Sequence, residues 1–334
     1  MNSLTTILFS AWQLVIKRSL AHWKLLSSVI TGVVLCSAVM AGTVIYFDAL
    51  RELALKSALN EHTQTEIDLT VKGERGPLTR EEFDLVKGSV AQAIQRDIGW
   101  VVSKENTALK TPTFFLGYPE QNEPLGKDNS RTYFAHIPNF TDNINLLPGG
   151  RLPSEQQIKK TEGTLIVEAM IPSEAASAFS VTVGDSLAAA PPWDSNFGLI
   201  EVVISGVFER NSPDSDYWHI EREFLSTSLG SGFNVVPFHI SETLFLDVLG
   251  PSLPSMDGIY AWHLTIDRDK IKATNAESVL DNVRSTSVSL GELLSGYQQP
   301  TVIDLSLSEY DRRLFFNKLP MFVVLILISV VVLY

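Results

Sequence analysis

Cysteine is nearly absent from this chain of 334 residues, in which Cys36 stands alone. A single cysteine cannot form an intramolecular disulfide, so no such bridge stabilises any part of the chain. Cys36 also lies inside a long apolar stretch rather than in the large segment that follows. That segment must therefore be stabilised by packing and hydrogen bonds.

Motifs of nucleotide binding and catalysis are missing as well. The sequence has no GxxxxGKS/T loop, no HExxH or CxxC and no GxSxG turn. The strand or turn contexts of His219, His239 and His263 favour structural histidines over metal ligands. Asp214 and Asp216 have the every-other spacing of a calcium loop, but no Gly and Glu complete it, which favours a solvated turn. We expect no cofactor, no metal and no enzymatic activity.

Basic residues are outnumbered, since 26 Lys and Arg stand against 38 Asp and Glu, giving a net charge of −12. A partner made of nucleic acid or of anionic lipid headgroups needs clustered Lys and Arg. The composition therefore argues against both partners. Simple solubility explains the acidity equally well.

Charge is absent altogether from residues 25–47, LLSSVITGVVLCSAVMAGTVIYF. A helix of this length crosses the roughly 30 Å apolar core of a bilayer, so we predict a first transmembrane helix. A cleaved signal sequence is the alternative, but its apolar region is only about 7–15 residues long. Residues 1–24 carry Lys17, Arg18 and Lys24 and no acid, which predicts a cytoplasmic N-terminus in the plasma (inner) membrane.

The segment before the span, residues 1–24, has apolar residues at helical spacing. This pattern predicts an amphipathic helix in the cytoplasmic interface, or else a continuation of the transmembrane helix. Within the span, small residues recur four apart. Such pairs allow close helix packing, and the predicted packing residues are Ser28, Gly32, Ala38 and Gly42.

A second apolar run, residues 319–334, predicts a return to the membrane, and its shortness leads us to expect the N-terminal part of a longer membrane protein. Residues 48–63 and 303–318 keep helical spacing and predict two antiparallel stalk helices joined to the spans. We predict that charges on the stalks pass motion to the domain outside, although snorkelling charges at a membrane boundary are the commoner explanation. These candidate coupling residues are Arg51, Glu52, Lys56, Arg312 and Arg313.

Residues 64–302 between the stalks predict an α+β extracytoplasmic domain. Glu66 to Lys72 alternates like a strand and precedes a helix capped by Thr79 with Glu82, which runs to about Ile98. A second strand, Trp262 to Ile266, precedes a helix from about 274 to 294. Shorter strands at 164–167, 199–208 and 235–240, with a helix at 172–179, lie between these two units.

Three short motifs in the middle of the domain resemble those of a known family. They are the turn Gly150-Arg151 in LLPGGRLP, the step Gly184-Asp185 in VGDSL, and the strand that ends in Gly206-Val207. With the order of span, large α+β domain and second span, they resemble MacB-like and FtsX-like ABC transporter permeases.

The resemblance implies a porter-like part at about 64–130 and 255–300, and an inserted, mostly-β part at about 140–250. It also implies a permease that transmits the motion of an ABC ATPase subunit. Further implied partners are a second permease copy or paralogue, a periplasmic adaptor or lipoprotein, and membrane lipid, with no nucleic acid. A two-span receptor with a sensory ectodomain is the alternative from another class, and an adhesion or scaffold domain is a third.

Overall fold

The computed structural model describes residues 12, 22–76, 78–120, 130–155, 159–161, 164–194, 197–213, 215, 217–218, 224, 226–229, 232–253 and 256–294. The chain divides into two compact units, Met1–Ser57 and Ala58–Tyr334. The predicted second stalk and second span, with Arg312 and Arg313, lie outside the described residues, as does most of the predicted interfacial helix.

One long helix, α1, covers Trp23–Asn60. It contains the predicted span 25–47 and continues to Asn60, three residues short of the predicted end of the first stalk. Among the described residues it is the one helix long and apolar enough to cross a membrane, with a mean hydropathy of 2.1 over an 18-residue stretch. A short cap follows it, because the Thr63 backbone N–H donates to the Glu66 carboxylate at 2.7 Å and opens a new helical turn.

The remaining elements belong to the sheet domain. The helices are α2 (Gln64–Ile67), α3 (Arg80–Asp97), α4 (Ser173–Phe179), α5 (Gly250–Ser252) and α6 (Ala276–Leu293), with a π-helical stretch at Leu244–Leu249. The strands are β1 (Leu69–Gly76), β2 (Val102–Lys110), β3 (Phe114–Gly117), β4 (Ser130–His136), β5 (Ile144–Leu146), β6 (Lys159–Thr161), β7 (Thr164–Pro172), β8 (Ser186–Ala190), β9 (Leu199–Arg210), β10 (Ser228–Leu229), β11 (Phe233–His239) and β12 (Gly258–Ile266).

These twelve strands form a single sheet, ten of them in the order β1-β12-β2-β4-β3-β8-β9-β7-β11-β10, with β5 paired to β9 and β6 paired to β7. Strand β11 also pairs with β4, in parallel, so that β4, β3, β8, β9, β7 and β11 close into a ring of six strands. Strand β4 is the link, because it pairs with β2 at Leu109 and Lys110 as well. One sheet therefore runs through both the predicted porter-like part and the predicted insert.

Aromatic side chains fill the ring where β3, β4 and β11 meet. Phe134 packs edge-on against Phe114 at 5.4 Å between ring centroids and lies 5.3 Å from Phe238. All three side chains are completely buried. A second cluster of buried side chains includes Tyr133 of β4 and Phe208 of β9. Strands β4, β7, β9 and β11 each contain at least four consecutive buried residues, as expected for strands covered on both faces.

The two predicted strand-helix units are present. Strand β1 pairs antiparallel with β12 along most of its length, and helices α3 and α6 that follow them are joined by a hydrogen bond from Arg96 Nη2 to Ser289 Oγ at 2.8 Å. The predicted start of the first strand at Glu66 is wrong. Glu66 and Ile67 form the helical turn α2, because the capping box takes precedence over the alternating pattern, and the strand begins at Leu69.

Candidate functional site

The first candidate site lies where helix α1 ends. The Arg268 guanidinium donates from Nη1 to the Leu59 carbonyl and from Nη2 to the His62 carbonyl, both at 3.1 Å. The last carbonyls of a helix have no partner within the helix, and they carry partial negative charge. A cation from the turn after β12 therefore binds the Leu59 carbonyl in the last turn of α1 and the His62 carbonyl just beyond it, and holds the helix end.

A buried carboxylate continues this contact into the sheet. Asp68 Oδ1 accepts from the backbone N–H of Ile266 at 2.9 Å and from Gln64 Nε2 at 2.6 Å. Its other oxygen, Oδ2, lies 3.2 Å from His263 Nε2. Asp68 and His263 are both buried.

We call this set of residues, Leu59, His62, Gln64, Asp68, His263, Ile266 and Arg268, the helix-end joint. Its members come from the last turn of α1 and the chain just after it on one side, and from β12 and the turn after it on the other. Strand β12 lies between β1 and β2 and pairs with both. The joint therefore fixes the helix end to an interior strand of the sheet.

The second candidate site is formed by the three family-like motifs, which the fold brings to one place on β9. Strands β7 and β9 pair Ala169 with Ile204 and then Met170 with Gly206, so Ser205 is an extra residue that forms a bulge. The Arg151 backbone N–H donates to the Ser205 carbonyl at 2.9 Å. The bulge thus receives the Gly150-Arg151 turn directly.

The Gly184-Asp185 step pairs with the residue just before the bulge. The Gly184 N–H donates to the Ile204 carbonyl at 2.8 Å, and the Ile204 N–H donates to the Asp185 carbonyl at 2.9 Å. The Asp185 side chain accepts from the backbone N–H of Thr182, which lowers the pKa of Asp185. Gly184 has φ of +96°, a conformation that glycine adopts without strain.

Glycine is required where the two turns meet the bulge. A Cβ on Gly206 would lie 2.9 Å from the Arg151 carbonyl oxygen, and a Cβ on Gly150 would lie 3.2 Å from the Gly206 Cα. Both distances are shorter than ordinary van der Waals contact. The close approach of these two backbones therefore depends on the missing side chains.

A carboxylate of β7 completes this second site. Glu168 is buried and accepts from both terminal nitrogens of Arg151, with Nη1 at 2.6 Å, and from the Ser154 N–H at 2.9 Å. The hydrogen bonds from Arg151 hold the pKa of Glu168 below its ordinary value. We call the set Gly150, Arg151, Glu168, Gly184, Asp185, Ser205 and Gly206 the motif cluster.

The predicted coupling residues of the first stalk, Arg51, Glu52 and Lys56, lie on α1. Arg51 and Glu52 are half-buried and Lys56 is exposed, so their coupling role stays a prediction. The predicted packing residues Ser28, Gly32, Ala38 and Gly42 are exposed along the same helix. The space around Gly32 and Gly42 is open within 4 Å, which leaves room for another helix.

Two of the three singled-out histidines lie in packed surroundings, and His219 is outside the described residues. His263 belongs to the helix-end joint. The His239 ring is stacked on Phe140 with 3.4 Å between centroids. Burial places the pKa of His239 well below its ordinary value. Among the described residues, no group of three or more His, Cys, Asp and Glu side chains is placed to hold a metal ion.

Sequence reasoning missed Asp68 and Arg268 as members of the joint and Glu168 as the partner of Arg151. The alternation of Glu66 to Lys72 placed Asp68 in a strand without a partner. An arginine in a turn, such as Arg268, gives no local signal of the helix that it caps. The glycines of the motif cluster, by contrast, were visible as turn residues.

Neither a protein-family model nor a curated protein matches the sequence. The chain is similar to a solved structure described as the periplasmic region of MacB from Actinobacillus actinomycetemcomitans, at 12% identity. The match covers 70% of this chain and 87% of that one, with a TM-score of 0.32. At this TM-score the likeness carries no argument about function.

Proposed function

We propose that the chain is the permease subunit of an ABC system of the MacB-like and FtsX-like kind, with no catalytic activity of its own. Its N-terminus is cytoplasmic, its sheet domain is extracytoplasmic, and a partner ATPase subunit hydrolyses ATP. The sequence motifs and the order of elements support the class of protein. The length and apolar character of α1 support the membrane location.

The observation that carries the proposal is the helix-end joint. A helix that only anchors a domain needs no fixed orientation, and a flexible linker would serve. Here Arg268 holds the Leu59 carbonyl at the end of α1 and the His62 carbonyl just after it, and the buried carboxylate of Asp68 binds the Ile266 N–H of β12. A rotation or shift of the helix end would therefore move β12 rather than be lost in a loose connection.

The test changes the rotation of α1 without changing the joint. One alanine inserted after Ala54 rotates the two parts of the helix by about 100°, whereas four inserted alanines rotate them by only about 40° and add roughly one turn. The full chain is purified with its bound partners, and the ATPase rate of the complex is compared with that of the ATPase alone. We expect the single insertion to abolish this difference and the fourfold insertion to keep a large part of it.

The replacement of Arg268 by Gln provides a second variant with α1 unchanged. It removes the cation at the helix end, and we expect it to weaken coupling while the complex still assembles. The proposal is wrong if no nucleotide-binding subunit accompanies the chain, or if both insertions leave the ATPase rate unchanged. Copurification with a signalling kinase instead would favour the receptor alternative.

A further inference from the structure

A histidine lies where the predicted porter-like part meets the ring of strands. His136 is the last residue of β4, the strand that links the two, and its side chain is only 15% exposed. Its Nδ1 atom lies 3.2 Å from the Ile240 carbonyl oxygen. A carbonyl oxygen can only accept a hydrogen bond, so Nδ1 carries the proton of the neutral imidazole and Nε2 is the unprotonated nitrogen. The geometry thus defines which nitrogen takes up a proton in acid.

The nitrogen that takes up the proton faces a carboxylate that is already bound to an arginine. Nε2 of His136 lies 3.9 Å from Glu242 Oε2, and two acceptor atoms cannot form a hydrogen bond. Glu242 Oε1 instead accepts from Arg80 Nη1. Arg80 also donates from Nε and Nη2 to the Asp247 carboxylate, both at 3.0 Å. Since Arg80 is the first residue of α3, these two acids hold the start of α3 against the chain that follows β11.

The other ionisable groups around His136 are basic. Two cations of α3, Arg80 and Lys87, act on it, and its imidazole is stacked on that of His239 of β11, with 6.2 Å between centroids. Strand β2 contributes Lys110, which follows the residue that pairs with His136. Burial is the main cause that lowers the pKa of His136, and the charges of Arg80 and Lys87 act in the same direction. His136 is therefore neutral at neutral pH, when Glu242 is bound to Arg80.

From this arrangement we propose that His136 and Arg80 compete for Glu242, and that acid shifts the competition towards His136. A protonated Nε2 becomes a donor and attracts Glu242 across the 3.9 Å gap. Glu242 then leaves Arg80, which keeps Asp247 alone, and the start of α3 is held by one carboxylate instead of two. The contact between the porter-like part and the strand ring is thus a pH-sensitive switch. It does not depend on the proposed permease function, because it lies wholly within the sheet domain.

The direction of the pH effect follows from proton uptake. In the packed state the pKa of His136 lies below its ordinary value of about 6.5. In the loosened state the pKa is higher, because Glu242 then binds the protonated imidazole. The loosened state therefore holds the extra proton. Its share rises by up to about tenfold for each unit by which the pH falls between these two pKa values.

The experiment is hydrogen–deuterium exchange of the full chain in lipid nanodiscs between pH 7.5 and pH 5, read by mass spectrometry. Labelling times are scaled for the pH dependence of the chemical exchange itself. The reporter is the first turn of α3, where the Phe83 N–H donates to the Thr79 carbonyl at 2.9 Å. We expect its protection to fall by up to about tenfold per pH unit below about pH 6.5. The protection of α6 should stay constant over the same range.

Matched variants separate the switch from general acid unfolding. The amide of His136→Gln can still donate to the Ile240 carbonyl but takes up no proton, so we expect the protection of the first turn to be the same at every pH. Glu242→Gln should give low protection throughout. His22→Gln, at an exposed histidine before α1, should keep the wild-type response. The proposal is overturned if His136→Gln or Glu242→Gln responds to pH as the wild type does, if the wild type shows no response, or if α6 loses protection equally.

Discussion

The helix-end joint and the motif cluster are both built on a buried carboxylate, yet they differ in what surrounds it. In the joint, the Asp68 and His263 side chains are 4% and 3% exposed, so both partners are withdrawn from water. In the motif cluster, the Glu168 side chain is 8% exposed but its partner Arg151 is 62% exposed. The first is an internal connection, and the second joins a surface turn to a buried strand.

The difference has an energetic consequence. When both partners are buried, the loss of one leaves the other without water or a replacement hydrogen bond. When one partner is exposed, water takes over much of its solvation, and the contribution of the pair is smaller. We therefore expect the joint to be more sensitive to substitution than the motif cluster, and three predictions test this order.

The largest effect is expected from Asp68→Ala. The substitution removes the acceptor of the Ile266 N–H and of Gln64 Nε2 and the partner of His263. Leaving several buried groups unsatisfied costs about 3–5 kcal/mol, at about 1–3 kcal/mol for each. The free energy of unfolding is measured by urea unfolding of the full chain in detergent micelles, followed by tryptophan fluorescence.

Asp68→Asn serves as the matched variant, because its amide oxygen still accepts from the Ile266 N–H while the negative charge is lost. We expect it to lose a smaller part of the free energy of unfolding. If Asp68→Ala cost less than about 0.5 kcal/mol, the value of an ordinary surface substitution, the joint would not be the firm connection that the geometry indicates.

A smaller effect is expected from Glu168→Gln, about 1.5–3 kcal/mol at neutral pH, the range for hydrogen bonds to a charged group. The pKa of Glu168 is lowered in the folded chain by the hydrogen bonds from Arg151. Its stabilisation is therefore fully present above the unfolded value of about 4.3 and is lost as the pH falls through the lower folded pKa.

The pH dependence gives this prediction its own control. Urea unfolding between pH 7 and pH 3 should show a weaker loss of stability for Glu168→Gln than for the wild type in the acid range. Glu209→Gln, at an exposed position of β9, should change the neutral-pH value by less than about 0.5 kcal/mol. If Glu168→Gln lost as much free energy of unfolding as the wild type between neutral and acid pH, the ion pair would not stabilise the fold.

The same comparison explains what could be predicted from the sequence. Arg151 and Glu168 are 17 residues apart, and the turns around them contain glycines that are visible in the sequence. Asp68 and His263 are 195 residues apart, and only the pairing of β1 with β12 brings them together. The strand-helix units follow from local patterns, whereas the joint requires a long-range pairing that no local pattern contains.

The closed ring of strands could not be predicted from the sequence for the same reason. The strands at 164–167, 199–208 and 235–240 were predicted from alternation and turn residues, but alternation does not specify a neighbour. The ring closes because β11 pairs with β4, which lies about a hundred residues earlier, as in the pair of Phe238 with Phe134. The sequence therefore predicts the kind of domain and several of its strands, but not which strands meet.

The smallest effect is expected from Gly206→Ala at the centre of the motif cluster. The new Cβ would lie 2.9 Å from the Arg151 carbonyl oxygen, so the turn must move by a few tenths of an ångström. Such overpacking costs about 1–2 kcal/mol at a surface turn that can shift.

The matched control is Gly88→Ala in α3, where a Cβ meets nothing within 4 Å, and where alanine should stabilise the helix by about 0.5–1 kcal/mol. The free energy of unfolding, measured with urea, should fall for Gly206→Ala and rise for Gly88→Ala. Such opposite changes would show that the contact with Arg151, and not the loss of glycine itself, excludes a side chain at residue 206. A stabilising Gly206→Ala would instead mean that the turn and the bulge are not in close contact, and the motif cluster would then be three separate turns rather than one site.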